Sequence, residues 1–347
     1  MKKKHVINLI RYHSENNDAG FKSEAYEIAR EFDASGDTQL AEYVIALLSD
    51  ANAFVPQTSE GDSCFLQKAS PSTNALPLPE VISQDIKGIM NAIGHNVGIN
   101  KFLFQGLPGT GKTETAKHVA RILGREMFTV DFDELIDSKL GQTSKNISML
   151  FQEVNGFAHP EHALILFDEI DALALDRTNE HDVREMGRAT SAVLKGLDGL
   201  DQDLVLIATT NLFDSFDKAL ARRFDSVIDF NRYSREDLLE IASVLMNGFS
   251  AEFKFIGRNM RLFDKIMQLM EEIPYPGELK NLIKASIAFS NPGDEFDYLK
   301  RLYKSATSEK EIDIQHLKNE GFTIREMEIL TSIPKTTISR ELKGAGQ

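Results

Sequence analysis

Five short apolar runs, separated by helical patterns, dominate the middle of the chain. Strands that alternate with helices are typical of a parallel sheet, because two parallel neighbours need a crossover connection between them. The pattern therefore predicts an α/β core, followed from about Ser234 by helices only. The predicted strands are 101–104, 127–131, 163–167, 204–208 and 227–230.

The rest of the chain divides into helical and irregular segments. Apolar residues recur at helical spacing from Ala25 to Phe32 and from Leu40 to Leu47, and a further helix is predicted over 4–13. Proline, glycine and small polar residues then indicate a linker. We predict a helical N-terminal region 1–52, a linker 53–80, an α/β core 81–232, a helical region 233–292 and a helical C-terminal region 293–347.

Composition and charge narrow the class of protein. Of 347 residues, 42% are hydrophobic and 27% are charged, which is ordinary for globular domains. A net charge of -14 argues against a protein that coats nucleic acid by bulk charge. The single cysteine, Cys64, excludes an internal disulfide and a cysteine-rich zinc site. The sequence has neither an apolar run of about 18 residues nor a signal peptide pattern, so we expect a cytoplasmic protein without a membrane partner.

A glycine-rich loop after the first predicted strand carries the clearest chemistry. The segment Gly106–Thr113 fits the phosphate-binding pattern G-x-x-x-x-G-K-[ST] between a strand and a helix. Glycines let backbone amides turn towards phosphate oxygens, Lys112 can reach the β- and γ-phosphates, and the Thr113 hydroxyl can ligate Mg²⁺. We therefore expect ATP and Mg²⁺ as cofactors. The predicted nucleotide contacts are Gly106, Pro108, Gly109, Thr110, Gly111, Lys112, Thr113 and Glu114.

Three further polar residues stand at the ends of predicted strands. Asp168 follows a strongly apolar strand and is placed to hold Mg²⁺, together with Thr113. The next residue, Glu169, is placed to act as a general base on water. Asn211 ends the following strand, where it can contact the γ-phosphate and the attacking water. Asparagine after a strand is also an ordinary turn residue, and that alternative stays open.

Taken in order, these motifs resemble those of AAA+ ATPases of the AAA subgroup. Phe167–Leu173 resembles the Walker B segment of that family. Leu197–Leu200, Ala208–Asn211 and Arg222–Asp225 resemble its second region of homology. The resemblance covers residues 100–290 and implies a five-stranded parallel sheet with a helical lid formed by the region 233–292. It also implies ATP binding between lid and core and assembly into rings, usually hexamers.

The resemblance implies roles for single residues as well. Asn211 matches the sensor-1 residue, and Arg222 and Arg223 match arginine fingers that act on the ATP of a neighbouring subunit. Without the resemblance, the two arginines are also explained as surface charge or partners of a helix dipole. Lys280 stands where many AAA+ proteins carry a sensor-2 arginine, and is otherwise an ordinary solvated lysine. Leu140 lies in the expected pore loop, whose missing aromatic residue disfavours a strong processive unfoldase.

The C-terminal segment resembles the helix-turn-helix of resolvase-type DNA-binding domains. Its pattern predicts helices over 311–319, 323–330 and 335–342, with DNA contact through residues 323–343. Glu328 replaces the usual alanine, Ser332 replaces the usual turn glycine, and no basic footprint is present. Helical packing or protein docking is therefore the alternative.

Three functions remain open from the sequence. The first is an AAA+ ATPase that binds and hydrolyses ATP at subunit interfaces of a ring or other homo-oligomer to remodel, gate or recruit a protein partner. The second is a DNA-associated ATPase of the transposition-helper or replication type. The third is an ATP-dependent assembly switch or scaffold beside an effector enzyme in a bacterial defence or mobile-element operon.

Overall fold

The structure, a computed structural model, separates into two compact units, residues 1–63 and 64–347. It describes residues 3–14, 18–34, 44, 65–69, 76–95, 97–130, 132–136, 142–171, 180–213, 216–307 and 313–344.

Among the described residues of the first unit, two helices pack against each other. They are α1 (Lys3–Ser14) and α2 (Asp18–Ala34), and both were predicted. His5 of α1 lies between two carboxylates of α2, with Nδ1 2.6 Å from Glu24 and Nε2 3.3 Å from Glu31. The helix predicted from Leu40 to Leu47 lies outside the described residues, apart from Val44.

The second unit is built on a six-stranded sheet with the order β1-β3-β4-β5-β2-β6. Five strands are parallel, as predicted, and one edge strand, β1, pairs antiparallel with β3. The predicted count of five strands was therefore one short. The strand β1 has only three residues and lies in the predicted linker, and so short a strand leaves no periodicity to detect. The strands are β1 (Leu66–Lys68), β2 (Lys101–Gln105), β3 (Glu126–Val130), β4 (Ala163–Phe167), β5 (Val205–Thr210) and β6 (Ser226–Asp229).

Helices cover both faces of this sheet. One face packs against α6 and α7 through residues such as Leu150 and Val193, and the other packs against α3 and α4 through residues such as Ile86 and Val119. Strand β4 is buried along its whole length, which explains its unbroken apolar sequence. The helices are α3 (Glu80–Gly94), α4 (Lys112–Leu123), α5 (Phe132–Leu135), α6 (Gln142–Asn155), α7 (Glu180–Asp198) and α8 (Lys218–Ala221).

In the part of the chain that the structure describes, seven helices follow the sheet and share one hydrophobic core. Phe263 and Ile283 from the predicted lid pack in the same cluster as Tyr298, Leu317 and Ile338 from the C-terminal region. The boundary predicted at residue 293 therefore does not coincide with a break in the core. The helices are α9 (Arg235–Glu252), α10 (Met260–Leu269), α11 (Pro276–Ala288), α12 (Asp297–Thr307), α13 (Ile314–Asn319), α14 (Ile324–Thr331) and α15 (Lys335–Gly344).

The last three helices have six, eight and ten residues, too few to bury an apolar face by themselves. This explains why they pack on the helices of the lid. None of the helices in the described ranges is both long and apolar enough to cross a membrane.

Candidate functional site

The loop between β2 and α4 has a backbone that depends on glycine. Gly106, Gly109 and Gly111 have φ angles of 151°, 77° and 91°, in the region that L side chains rarely adopt. A Cβ atom at Gly106 would also lie 3.0 Å from Cβ of Phe230. The loop leads directly into the N-terminus of α4, whose first amides have no partner within the helix. Such a loop and helix start form a site for phosphate.

Two residues after β6 hold this loop in place. The side-chain oxygen of Asn231 accepts a hydrogen bond from the Leu107 amide at 2.8 Å. The Tyr233 hydroxyl donates to the Thr110 carbonyl at 2.8 Å, and burial raises the pKa of that phenol, so it stays a donor at neutral pH. Sequence reasoning missed both residues. The signal available was their position just after a strand of the same parallel sheet, which ends at the same edge as β2.

Lys112 is almost fully buried at the start of α4. Its ammonium donates to the carbonyls of Gly106 at 2.7 Å and Leu107 at 3.0 Å, and to the side-chain oxygen of Asn211 at 2.7 Å. Burial lowers the pKa of Lys112, and nearby carboxylates led by Asp168 oppose that shift. The structure thus brings together Lys112 and Asn211, two of the predicted site residues.

Asp168, at the end of β4, accepts hydrogen bonds from two threonines. The Thr113 hydroxyl lies 2.9 Å from Oδ1 of Asp168, and the Thr209 hydroxyl lies 2.7 Å from the same atom. The Thr209 oxygen also accepts a hydrogen bond from the Glu169 amide at 2.8 Å. Sequence reasoning missed Thr209, because a threonine in a buried strand is an ordinary strand former.

Thr113 and Asp168 form a donor set that fits Mg²⁺, since both offer hard oxygen atoms close together. Within the described ranges, no group of three or more His, Cys, Asp and Glu side chains is arranged to hold a metal ion. A magnesium ion here would take its other ligands from phosphate and water, as Mg²⁺ commonly does in nucleotide sites.

Glu169 has an unusual backbone, and its side chain makes one hydrogen bond to the residues that the structure describes. Its φ angle is 52°, a left-handed conformation that costs a non-glycine residue about 1–3 kcal/mol. The amide of Asn211 donates to Oε1 of Glu169 at 3.2 Å. Asn211 therefore bridges Lys112 and Glu169, and the five polar residues predicted from the sequence form one connected network.

A cleft of about 1010 Å³ opens over this network. Its second wall comes from the helices after the sheet, including Val244 of α9 and Lys280 of α11, and Leu78 adds an apolar side chain. Lys280 is exposed and lines the cleft. The two walls touch where the Gly277 amide donates to the Gly109 carbonyl at 2.8 Å, and a Cβ atom at Gly277 would lie 2.8 Å from Cα of Gly109.

Comparison with known proteins agrees with this geometry. Residues 102–232 match the family "ATPase family associated with various cellular activities (AAA)". Residues 102–232 therefore form an AAA domain. This chain is 41% identical over 133 residues to an uncharacterized AAA family ATPase, y4kL, of Sinorhizobium fredii, covering 38% of this chain and 39% of the relative. It is 36% identical over 163 residues to proteasome-activating nucleotidase 1 of Halobacterium salinarum, covering 44% and 39%.

Solved structures show the same fold. The AAA domain of FIGL-1 in complex with ADP aligns with a TM-score of 0.52 at 17% identity, over 74% of this chain and 90% of that one. A chain of an E. coli HORMA:CdnC:Trip13 complex aligns with a TM-score of 0.54 at 17% identity, over 72% and 95%. The matches to both curated relatives span well under half the length of those proteins.

The two predicted finger residues of the AAA domain lie apart from its cleft. Neither Arg222 nor Arg223 lines the cleft. Arg222 is exposed, while Nε of Arg223 lies 2.7 Å from Oδ1 of Asp198 at the end of α7. The structure therefore does not bring these arginines to the nucleotide site of their own chain. Leu140, the predicted pore-loop residue, lies outside the described residues.

The C-terminal segment lies beyond the matched AAA domain and forms three helices, close to the predicted ranges. Ser332 adopts a left-handed φ of 62°, so it takes the conformation expected of the usual turn glycine. Glu328 accepts hydrogen bonds from the Lys335 amide and pairs with its ammonium, both at 3.2 Å. Glu326 is buried against Lys265 of α10, at 3.2 Å. Both of these carboxylates of the segment are therefore paired with lysines of the same chain.

Proposed function

We propose that the chain binds ATP with Mg²⁺ in the cleft and hydrolyses it at interfaces between copies of itself. The cycle would serve to remodel, gate or recruit a protein partner. The observation that carries this proposal is the connected network of Lys112, Thr113, Asp168, Glu169 and Asn211 at the mouth of the cleft.

The residues of this network have separable tasks. Lys112 would exchange its loop carbonyls for phosphate oxygens, which are better partners for a buried cation. Thr113 and Asp168 would hold Mg²⁺, which neutralises charge on the phosphate oxygens. Glu169 would accept the proton of the attacking water, and Asn211 would orient Glu169 while contacting the γ-phosphate.

Assembly is proposed from the placement of the arginines. Arg222 is exposed and has no ion pair within the described ranges, and it does not line the cleft of its own chain. An exposed guanidinium without an ion pair can contact the ATP of a neighbouring subunit in a ring, which in AAA+ ATPases is usually a hexamer. A protein partner is supported by the relatives, since one is named a proteasome-activating nucleotidase and another was solved in a complex with other proteins.

The first experiment replaces the proposed base. For Glu169→Gln we expect phosphate release to fall about 10²- to 10⁴-fold, while ATP binding and ATP-dependent assembly persist. Light scattering with and without ATP measures assembly, and Glu272→Gln, at an exposed carboxylate outside the cleft, is the matched control. Normal turnover in Glu169→Gln would contradict the assigned base. Assembly on ATP without turnover in the unaltered chain would instead favour the switch or scaffold.

The second experiment tests whether the arginines act between subunits. The double variant Arg222→Ala/Arg223→Ala keeps an intact cleft, and Lys112→Ala keeps intact arginines. We expect each variant alone to be nearly inactive, with ATP turnover of the arginine variant lowered about 10³-fold. A mixture of the two should recover turnover, because mixed oligomers contain interfaces that join an intact cleft to intact arginines. Activity at the unaltered level in the double variant, or no recovery on mixing, would contradict the proposal.

A second candidate function is DNA binding, favoured by the intact turn at Ser332 and by Arg340 and Lys343, which are exposed on α15. On this hypothesis, duplex DNA binds at low salt and stimulates ATP turnover, and Arg340→Ala/Lys343→Ala abolishes both effects. A fluorescence anisotropy titration with a labelled duplex decides between the two functions, and no binding at low salt excludes the DNA hypothesis.

A further inference from the structure

A second surface cavity, about 1010 Å³ in volume, runs between α6 and α7 on one face of the sheet. The two helices approach closely at Gly196, where a Cβ atom would lie 2.1 Å from the ring of Phe151. The lining residues extend along α6 from Ser144 to its end at Asn155, a length of roughly 16 Å at the rise of an α-helix. We call this cavity the α6–α7 groove.

The groove has an unusual charge for this chain. Lys145, Arg188 and Lys195 line it and are exposed, and no ion pair holds any of them within the described ranges. No aspartate or glutamate is among its described lining residues. The whole sequence carries 53 acidic against 39 basic residues, so a lining with three cations and no carboxylate departs from the average surface. Complementary charge favours an acidic occupant.

The floor of the groove is apolar. Met149, which is 50% exposed, and Ala192 line it together with Phe151, which is 5% exposed. On α6, Lys145, Ser148, Met149 and Gln152 follow one another at helical spacing along a single face. Nucleic acid fits this surface less well. Single-stranded bases stack on exposed aromatic rings, and the only aromatic residue in the described lining, Phe151, is buried. Duplex DNA is bound through its phosphates, which would leave the exposed apolar side chain of Met149 without a partner. A helix with one apolar stripe fits it well, since grooves between helices bind amphipathic helices through such stripes.

We propose that the α6–α7 groove docks an acidic amphipathic helix of a protein partner. Apolar side chains of that helix cover Met149 and Ala192, and its carboxylates face Lys145, Arg188 and Lys195. The proposal deepens the function proposed above, because it gives the protein partner a docking surface and a chemistry. Its test does not use ATP turnover, so the groove and the ATPase can fail independently.

The test is a selection with a reciprocal charge swap. The full-length chain selects from displayed 15-residue peptides that have apolar residues fixed at i, i+4 and i+7 and random residues elsewhere. Retained sequences are then titrated against Lys145→Glu/Lys195→Glu by fluorescence anisotropy. We expect retained peptides to be rich in Asp and Glu and to bind this variant at least about tenfold more weakly, because two attractions become repulsions.

The swap is completed from the peptide side. Replacing the carboxylates of a retained peptide by lysine should restore binding to Lys145→Glu/Lys195→Glu and weaken binding to the unaltered chain. The matched control is Lys254→Glu/Lys304→Glu, which changes net charge equally at exposed lysines outside the groove and should bind the acidic peptide like the unaltered chain. Thermal unfolding of both variants confirms that they fold.

Each other outcome overturns the proposal. If no peptide is retained, or if retained peptides are not acidic or bind both variants alike, the groove does not dock an acidic helix. If Lys145→Glu/Lys195→Glu abolishes ATP-dependent assembly while no peptide discriminates, the occupant is a second copy of this chain. If a labelled DNA duplex, rather than peptide, loses binding to this variant alone, the occupant is nucleic acid.

Discussion

The nucleotide cleft and the C-terminal helices both carry recognisable sequence motifs, but they use their polar residues differently. In the cleft, Lys112, Glu169 and Asn211 come from different elements and meet beside an open space. In the C-terminal helices, Glu326 and Glu328 are bound by lysines of the same chain. A motif of the first kind leaves its charges available to a ligand. In a motif of the second kind, the charged residues pair with each other inside the chain and stabilise the fold.

This difference separates function from stability. Side chains around the cleft should change nucleotide binding or turnover while leaving the fold nearly unchanged. Side chains that join the C-terminal helices to the lid should change the free energy of unfolding while leaving the cleft intact. The following substitutions test that division, from the largest expected effect to the smallest.

Replacing the buried lysine of the loop should have the largest effect. In Lys112→Ala the cation that would contact phosphate is lost, and we expect ATP affinity to fall about 100-fold, because hydrogen bonds to charged groups contribute strongly. The binding of a fluorescent ATP analogue measures the change. Lys304→Ala removes the same charge at an exposed lysine of α12, outside the cleft lining, and should bind ATP normally. Equal loss in both variants would mean that general charge, not the loop, governs affinity.

Thr209 should have the next largest effect, through the residues it positions. Its hydroxyl connects Asp168 to the Glu169 backbone, and Thr209→Val keeps the shape of the buried side chain but removes both bonds. We expect the Mg²⁺ concentration needed for half-maximal nucleotide binding and for turnover to rise about tenfold.

Thr209→Ser keeps the hydroxyl and should stay close to the unaltered chain. If Thr209→Val and Thr209→Ser behave alike, the hydroxyl has no positioning role. If Thr209→Val lowers the thermal unfolding temperature but leaves the Mg²⁺ dependence unchanged, the residue belongs to the core rather than to the site.

Much of the cleft was predictable because chemistry restricts its residue types and spacing. The loop Gly106–Thr113 needs glycines for its backbone, and β4 is apolar along its length because helices cover both of its faces. Asp168 and Asn211 follow neighbouring parallel strands, so their carboxyl ends had to meet at one edge of the sheet. These constraints act locally along the chain and leave a pattern in it.

Other features left no such pattern. Thr209 reads as an ordinary strand residue, and Tyr233 reaches the loop from more than a hundred residues further along the chain. Strand β1 exists because Leu66 pairs with Val130 of β3, which its three residues do not reveal. The packing of the C-terminal helices on the lid depends on contacts such as Lys265 with Glu326. Long-range contacts decided these features, and local periodicity does not encode them.

Glu326 tests the other side of the comparison. Burial acts to raise the pKa of Glu326, but hydrogen bonds from Thr323 and Lys265 outweigh it, and the pKa lies below the ordinary 4.5. A carboxyl group with a lowered pKa stabilises the fold above its unfolded pKa, and this contribution is lost as pH falls through the folded pKa. We expect Glu326→Gln to lose about 1 kcal/mol of unfolding free energy at neutral pH, with ATP binding unchanged.

Denaturant unfolding at several pH values measures this effect. The difference between Glu326→Gln and the unaltered chain should shrink as pH falls from about 4.5 through the lower folded pKa of Glu326, below which both side chains are neutral. Glu278→Gln, at an exposed carboxylate of α11, should be neutral throughout. A loss of ATP affinity in Glu326→Gln would break the division, because it would couple the C-terminal helices to the cleft.

Lys280 lies where the two regions meet, and its effect should be the smallest. It lines the cleft from α11, whose buried face belongs to the core shared with the C-terminal helices. Lys284 lines the same cleft one turn further from Gly277, which bonds to the loop. If Lys280 contacts phosphate, Lys280→Ala should weaken ATP binding about threefold more than Lys284→Ala, as expected for one exposed charge pair. The difference should fade as salt rises, because salt screens exposed charges. If both variants bind ATP equally weakly, the two lysines act only through the overall positive potential of the cleft. If neither variant weakens ATP binding, Lys280 is a solvated lysine, and the lid acts on the nucleotide only through the backbone contact of Gly277 with the loop.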